Sequence, residues 1–143
     1  MPGRLSGKTA IVTGAGAGFG AGIAAKFVAE GANVLVWDID PSAPARVAAA
    51  LDATSKQTLP FVGDVSEPAD WERALREVRA KWGGLDVLVN NAGVVYASTP
   101  SIEVGPGAGA GYGGFWLTGM LAGPGGNARS LVAHQCQAHL LLG

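Results

Sequence analysis

Residues 9 to 20 read Thr9-Ala-Ile-Val-Thr13-Gly14-Ala-Gly16-Ala-Gly18-Phe19-Gly20, an apolar β-branched strand running straight into a glycine turn and then into a helix. A turn without side chains lets phosphate oxygens approach the backbone. The helix start beyond it offers unpaired N–H groups and a partial positive charge of about half a unit. Because 23 of the 143 residues are glycine, such a trio could also be an ordinary tight turn, so its surroundings must decide. They agree with the phosphate reading. Phe19, Ile23, Ala24, Phe27 and Val28 form an apolar stripe suited to a sheet face, and Glu30-Gly31 closes the helix with glycine placed for a left-handed cap. Asn33 to Trp37 then reads as a second strand buried on both faces, ending in Asp38 about 20 residues beyond the turn, the spacing of a dinucleotide fingerprint.

A carboxylate at that strand tip can accept hydrogen bonds from the adenosine ribose hydroxyls and repels a 2′-phosphate, so Asp38 argues for NAD over NADP. Asp40 adds negative charge nearby, and Ala15, Gly16 and Ala17 bring no cation to the turn. Arg46, early in the next helix, leaves a reach to a 2′-phosphate open. Taken alone, Asp38 also admits the plainer reading of a solvated strand-end acid.

The middle of the chain continues the alternation. Pro41 to Thr54 is an alanine-rich helix, Gln57 to Val62 a third strand, and Gly63-Asp64 a turn. Ser66-Glu67-Pro68 has the look of a helix start with a capping hydroxyl and an early proline. Trp71, Leu75, Val78 and Trp82 mark its core face. Arg73, Arg76, Arg79 and Lys81 lie largely off that face, mixed with Glu72 and Glu77, which is a solvated surface and not a nucleic-acid footprint. Gly83-Gly84 ends the helix, and Asp86 to Asn90 is a fourth buried strand. Strands alternating with helices imply an α/β fold with a parallel, doubly wound, Rossmann-like sheet.

The pattern Thr13-Gly14-x-x-x-Gly18-x-Gly20, with Asp38, Asp64-Val65 and Asn90-Asn91-Ala92-Gly93, resembles the nucleotide-binding half of the short-chain dehydrogenases/reductases over residues 4 to 104. A second alignment of the glycines, on Gly16-Ala17-Gly18-Phe19-Gly20-Ala21, also fits the general dinucleotide form. Gly14 is preferred because it follows the strand directly. The resemblance implies that Gly14, Gly18, Phe19 and Gly20 shape the phosphate loop and that Asp38 meets the ribose. It further implies that Asp64 and Val65 border the adenine and that Asn91 lies beside the nicotinamide-side ribose. The reaction it implies is hydride transfer between NAD(P) and a small carbonyl or secondary alcohol, with the substrate unspecified.

Composition narrows the remaining options. A formal charge of −1 and 48% apolar residues offer no electrostatic case for nucleic acid or membrane partners. The opening residues lack a secretory core, and no stretch reaches the 18 or so apolar residues needed to span a bilayer, so a cytoplasmic location is expected. The single Cys136 excludes an internal disulfide.

Beyond Val104 the sequence changes character. All eleven acidic residues lie at or before Glu103, while the last 39 residues hold eleven glycines and one cation, Arg129. Two segments are therefore expected: a partial NAD-binding domain over 1–104, truncated after about four strands, and an irregular glycine-rich tail over 105–143, poorly ordered. A shifted reading frame or gene boundary would produce such a tail. The family's serine and Tyr-x-x-x-Lys have no match here, since Tyr96 and Tyr112 are followed four residues on by Pro100 and Trp116, and no Lys follows Lys81. The expectation is dinucleotide binding without turnover, with a catalytically silent sensor or interaction module as the alternative. Val87-Leu88-Val89 would then be a bare apolar edge. His134-x-Cys136-x-x-His139 matches no paired zinc spacing and, on a helix, would split its two histidines between diverging faces.

Overall fold

The computed structural model describes residues 2–92, 129–134 and 137–141. In chain order the elements are β1 (Thr9–Thr13), α1 (Gly18–Ala29), β2 (Asn33–Asp38), α2 (Ala43–Leu51), β3 (Thr58–Val62), α3 (Pro68–Trp82), β4 (Val87–Asn90), β5 (Arg129–His134) and β6 (Gln137–Leu141). They build one sheet in the order β3-β2-β1-β4-β5-β6. The first four strands pair in parallel, with Ile11 opposite both Leu35 and Leu88. The expected α/β doubly wound architecture is therefore present.

Strand periodicity explains the two-sided burial. Alternate residues point to opposite faces, so Ile11, Leu35, Trp37 and Leu88 join Phe61, Trp71, Ala74 and Val78 on the face covered by α3. Val12, Val34, Val36 and Val89 pack on the other face with Ala24, Val47 and Ala48 from α1 and α2. β1 is buried throughout, apolar at Ala10, Ile11 and Val12 and flanked by the buried Thr9 and Thr13. Pro60 is tolerated because β3 is an edge strand, where a missing N–H can be accommodated.

Trp37 anchors the α3 face, its ring centroid 4.6 Å from Phe61 and 4.4 Å from Trp71, both tilted. The two indole N–H groups reach outward from this cluster to the loop after β3. Trp37 Nε1 donates to the Gly63 carbonyl at 2.8 Å and Trp71 Nε1 to that of Val65 at 2.8 Å.

Several local expectations are corrected. Phe19 does not pack on the sheet: it is 84% exposed, while the rest of the α1 stripe lies against the core. The second helix is shorter than Pro41 to Thr54, because Asp52 turns to an extended backbone and accepts from Thr54 and Gln57 N–H groups. Ser66 does not cap α3. Its amide and hydroxyl both donate to Asp64 Oδ1, at 2.8 and 2.7 Å, and Glu67 occupies the cap position without a side-chain bond.

The largest correction concerns the far edge. The sheet does not stop at four strands: β5 pairs in parallel with β4, Val87 opposite Arg129 through Asn90 opposite Val132, and β6 pairs antiparallel with β5. The backbone groups of Val87-Leu88-Val89 are therefore partnered on both sides. Sequence periodicity missed these strands because neither carries a clean alternation or turn signal. His134 and His139 lie on β5 and β6, not on a helix. The glycine-rich stretch 105–128, with Tyr96, Tyr112 and Cys136, lies outside the described residues.

Trp71 is 1% exposed and carries both ring contact and loop anchor. Trp71→Ala is expected to lower unfolding free energy by about 3–5 kcal/mol, the range for truncating a buried large aromatic, measured by urea denaturation of the full chain.

Candidate nucleotide-binding site

The carboxyl ends of β1, β2, β3 and β4 open on the same side of the sheet, and chain order reverses at the β1/β4 junction, where open α/β sheets place their ligand crevice. Gly14 follows β1 directly with φ +63°, a conformation that L side chains rarely adopt. Space is equally restrictive: a Cβ on Gly14 would come within 2.9 Å of the Ala92 Cα. Gly20, inside α1, faces the Gly14 carbonyl so closely that a Cβ there would collide with it. This is the tight helix-to-strand approach expected of the last glycine in the motif. Gly18 has open space around it, and glycine suits it because φ is +55°.

Ala17 occupies the cap position of α1 with no side-chain hydrogen bond, and no acid sits in the first turn. Among the described residues the first N–H groups of α1 therefore have no side-chain partner, which fits them to an anion.

Thr13 and Asn91 knit the crevice together. The buried Thr13 hydroxyl donates to the Val89 carbonyl at 3.2 Å and accepts from the amides of Asn91 at 3.1 Å and Ala92 at 3.0 Å. Asn91 Nδ2 donates back to the carbonyls of Thr13 at 3.2 Å and Gly14 at 3.1 Å. The Asn91 amide group thus supports the turn.

On the β2 side, Asp38 Oδ2 accepts the Gly16 N–H at 2.9 Å and Oδ1 accepts the Asp40 N–H at 3.0 Å. An ionised carboxylate offers about four lone-pair sites, so two such bonds leave capacity for ribose hydroxyls. A Cβ on Gly16 would press within 2.6 Å of that carboxylate oxygen. The Gly16 carbonyl is held in turn by Arg46 Nη2 at 3.1 Å. Asp40 serves the start of α2. Its Oδ1 accepts the Ser42 amide at 2.8 Å, the Ser42 hydroxyl at 2.9 Å and the Ala43 amide at 3.3 Å. These bonds, the Ser42 amide foremost, hold its carboxyl below the usual range.

Asp64 and Val65 sit beyond β3. The Gly63 N–H donates to the Asp38 carbonyl at 3.1 Å, tying this loop to the strand tip that carries Asp38. Asp70 Oδ2 accepts the Asp64 amide at 2.8 Å, and Asp70 Oδ1 accepts from Arg73 at 2.9 Å. Among the expected site residues, Gly14, Gly20 and Asn91 are in direct contact, and Asp38 joins the turn through Gly16. Asp64 and Val65 attach through Gly63 and the tryptophans, whereas Phe19 stands apart on the surface. The supporting bonds of Thr13, Gly16, Arg46 and Asp70 were not legible from sequence, since their partners lie 6 to 79 positions away.

A family model described as short chain dehydrogenase matches residues 8–106. The chain belongs to the short-chain dehydrogenase family. Within that family it is 42% identical over 92 residues to oxidoreductase UcpA of Escherichia coli (strain K12), covering 64% of this chain and 35% of that protein. It is 39% identical over 101 residues to a 2-dehydro-3-deoxy-L-rhamnonate dehydrogenase (NAD(+)) of Sphingomonas sp. (strain SKA58), covering 71% of this chain and 39% of the relative. A similar solved structure is a 3-ketoacyl-(acyl-carrier-protein) reductase from Brucella melitensis complexed with NADH. It aligns with TM-score 0.70 and 36% identity, covering 83% of this chain and 50% of that one. The chain thus spans between a third and a half of the length of these short-chain dehydrogenase relatives. Among the described residues no helix is long and apolar enough to cross a membrane.

Two outcomes are expected from the supporting bonds. Thr13→Val keeps the shape but strands the Asn91 and Ala92 amides, so unfolding free energy should fall by about 1–3 kcal/mol in urea titration. Asp70 is held below its ordinary value of 3.8, first by the Asp64 amide and then by Arg73. Because its folded value is depressed, the stabilisation is present above the unfolded value and disappears as pH falls through the folded one. Asp70→Asn should therefore be less stable than the parent at pH 7, with the difference shrinking once pH drops below 3.8.

Proposed function

We propose that residues 8–92 form the NAD-binding part of an oxidoreductase that exchanges hydride between the nicotinamide and a carbonyl or secondary alcohol. Family membership supports the reaction class, and the glycine geometry supports the dinucleotide. The observation that carries the choice of NAD is the Asp38 carboxylate, fixed at the tip of β2 by the Gly16 and Asp40 amides. A negative charge there favours a ribose diol and disfavours a 2′-phosphate.

When bound, the nicotinamide supplies the hydride acceptor or donor; the chain supplies binding and orientation. Gly14, Gly18 and Gly20 bare the backbone for the diphosphate, and the start of α1 meets it with N–H groups. Asp38 accepts from the adenosine ribose. Asp64 and Val65, braced by Asp70 and Trp71, border the adenine, and Asn91 holds the turn on the nicotinamide side. Phe19, exposed beside Gly18, would cover the diphosphate. The printed cofactor of the Sphingomonas relative, NAD(+), and the NADH in the Brucella structure are consistent with this choice.

Titrating the full chain with NADH and NADPH by calorimetry tests the reading. Unaltered protein should bind NADH at least about tenfold more tightly, a difference of about 1.4 kcal/mol, and Asp38→Ala should lose that preference. Equal affinities in the unaltered protein would overturn the choice of NAD.

A further inference from the structure

The two flanks of α3 differ in what they meet. On one, Arg73 donates to the Val62 carbonyl at 2.8 Å and Asp70 accepts the Asp64 amide at 2.8 Å. Lys81, on the same flank, donates to the carbonyls of Ser55 at 2.7 Å and Thr58 at 3.0 Å. These partners lie on β3 or in the loops beside it, so this flank faces the β3 edge of the sheet. At about 100° per residue, Glu72, Leu75, Arg76 and Arg79 fall on the opposite flank, which looks toward β4 and β5. They line a groove of about 440 Å³. Leu75 reaches the core from its floor, while Arg76 and Arg79 are exposed.

Among the described residues neither arginine forms an ion pair, although Glu72 stands four positions before Arg76. Two cations one helical turn apart repel each other. The flank therefore suits an anion with apolar neighbours.

Sheet topology dictates which part of the chain passes there. The steps from β1 to β2 and from β2 to β3 run one way along the sheet, with α1 and α2 on one face; the step from β3 to β4 runs the other way, with α3 on the opposite face. β5 is the parallel neighbour of β4 and continues that second direction. A right-handed connection, the hand of about 98% of such crossovers, thus carries residues 91–128 over the α3 face, on the side of the groove. Its first part leaves β4 beside α3, and its last part must reach β5. Glu103 belongs to the first part, is the only acid after Asp86, and is flanked by Ile102 and Val104. Reach is no obstacle. The segment from Asn90 to Glu103 can extend to roughly 43 Å, against about 22 Å for the whole of α3.

We propose that Ile102-Glu103-Val104 seats in this groove, with the carboxylate between the Arg76 and Arg79 guanidiniums and the two β-branched side chains on Leu75. In an extended segment Ile102 and Val104 point one way and Glu103 the other. The apolar pair then turns inward, and the carboxylate stays at the rim, where two long side chains reach it.

Carbodiimide coupling, which joins a carboxylate to a lysine amine with loss of water, tests the contact in the full chain carrying Arg79→Lys, with Arg76→Lys as a second acceptor on the same flank. Products are mapped by mass spectrometry. Glu103 should couple to the introduced amine within one chain. Coupling to Lys81 instead would place the segment on the β3 flank, and coupling found only between two chains would seat a second copy in the groove. Either result overturns the proposal, as does the absence of Glu103 coupling in variants whose melting curves match the parent. A protease that cuts after glutamate gives an independent readout, because cleavage tracks the fraction of time a segment is released. Cutting at Glu103 should be about tenfold faster in Arg76→Gln/Arg79→Gln than in the unaltered chain, and salt raised to about 0.5 M should narrow that difference by screening. Equal cleavage rates in the two chains at low salt would show that the arginines do not hold Glu103.

Discussion

The site depends on one steric constraint: three backbones converge at the end of β1 with no space for a Cβ on Gly14 or Gly20. Gly14, Gly20 and the Asn91-Ala92 segment approach so closely that a Cβ on either glycine would strike the neighbouring chain. Where backbones crowd this way, their polar groups must be satisfied locally. Thr13 and Asn91 do so, exchanging bonds between β1, the turn and the segment after β4. A bare turn braced from behind presents a preorganised surface to a diphosphate, because little ordering remains to be done on binding.

The same economy recurs at the tips of β2 and β3, where side chains hold backbone and leave some capacity over. Asp38 and Arg46 grip Gly16, Asp70 grips Asp64, and two tryptophans reach from the core to the carbonyls of Gly63 and Val65. The aromatic cluster of Trp37, Phe61 and Trp71 that seals the α3 face also holds the loop after β3 in place, through the indole bonds to Gly63 and Val65. A 4.1 Å stacking of the Arg73 guanidinium on Phe61 extends this cluster to the ion pair with Asp70.

The pairing of β5 with β4 changes how the sheet is understood. Parallel strands need long crossovers and burial on both faces, so β4 as an edge would be exposed where the sheet is most apolar. With β5 beside it, that edge is closed, and the antiparallel β6 becomes the outermost strand. Nothing in the local sequence of Arg129–His134 announces this role, because a strand added to an existing apolar edge is specified mainly by the partner that awaits it.

What the sequence alone determined is the local and periodic part: four strands, three helices, the glycine turn, and an acid at the right distance from it. Each follows from side-chain alternation, from the special backbone freedom of glycine, or from a fixed spacing along one βαβ unit. What only the tertiary structure decided is everything made between distant segments. Thr13 became a hydrogen-bond hub, Asn91 a brace for the turn, Ser66 a partner of Asp64, and Arg46 a clamp on Gly16. Phe19 shared the helical period of a core residue, yet at the first turn of α1 it stands in the open. Periodicity reports which way a residue faces, but only the assembled layers establish whether anything lies there to meet it.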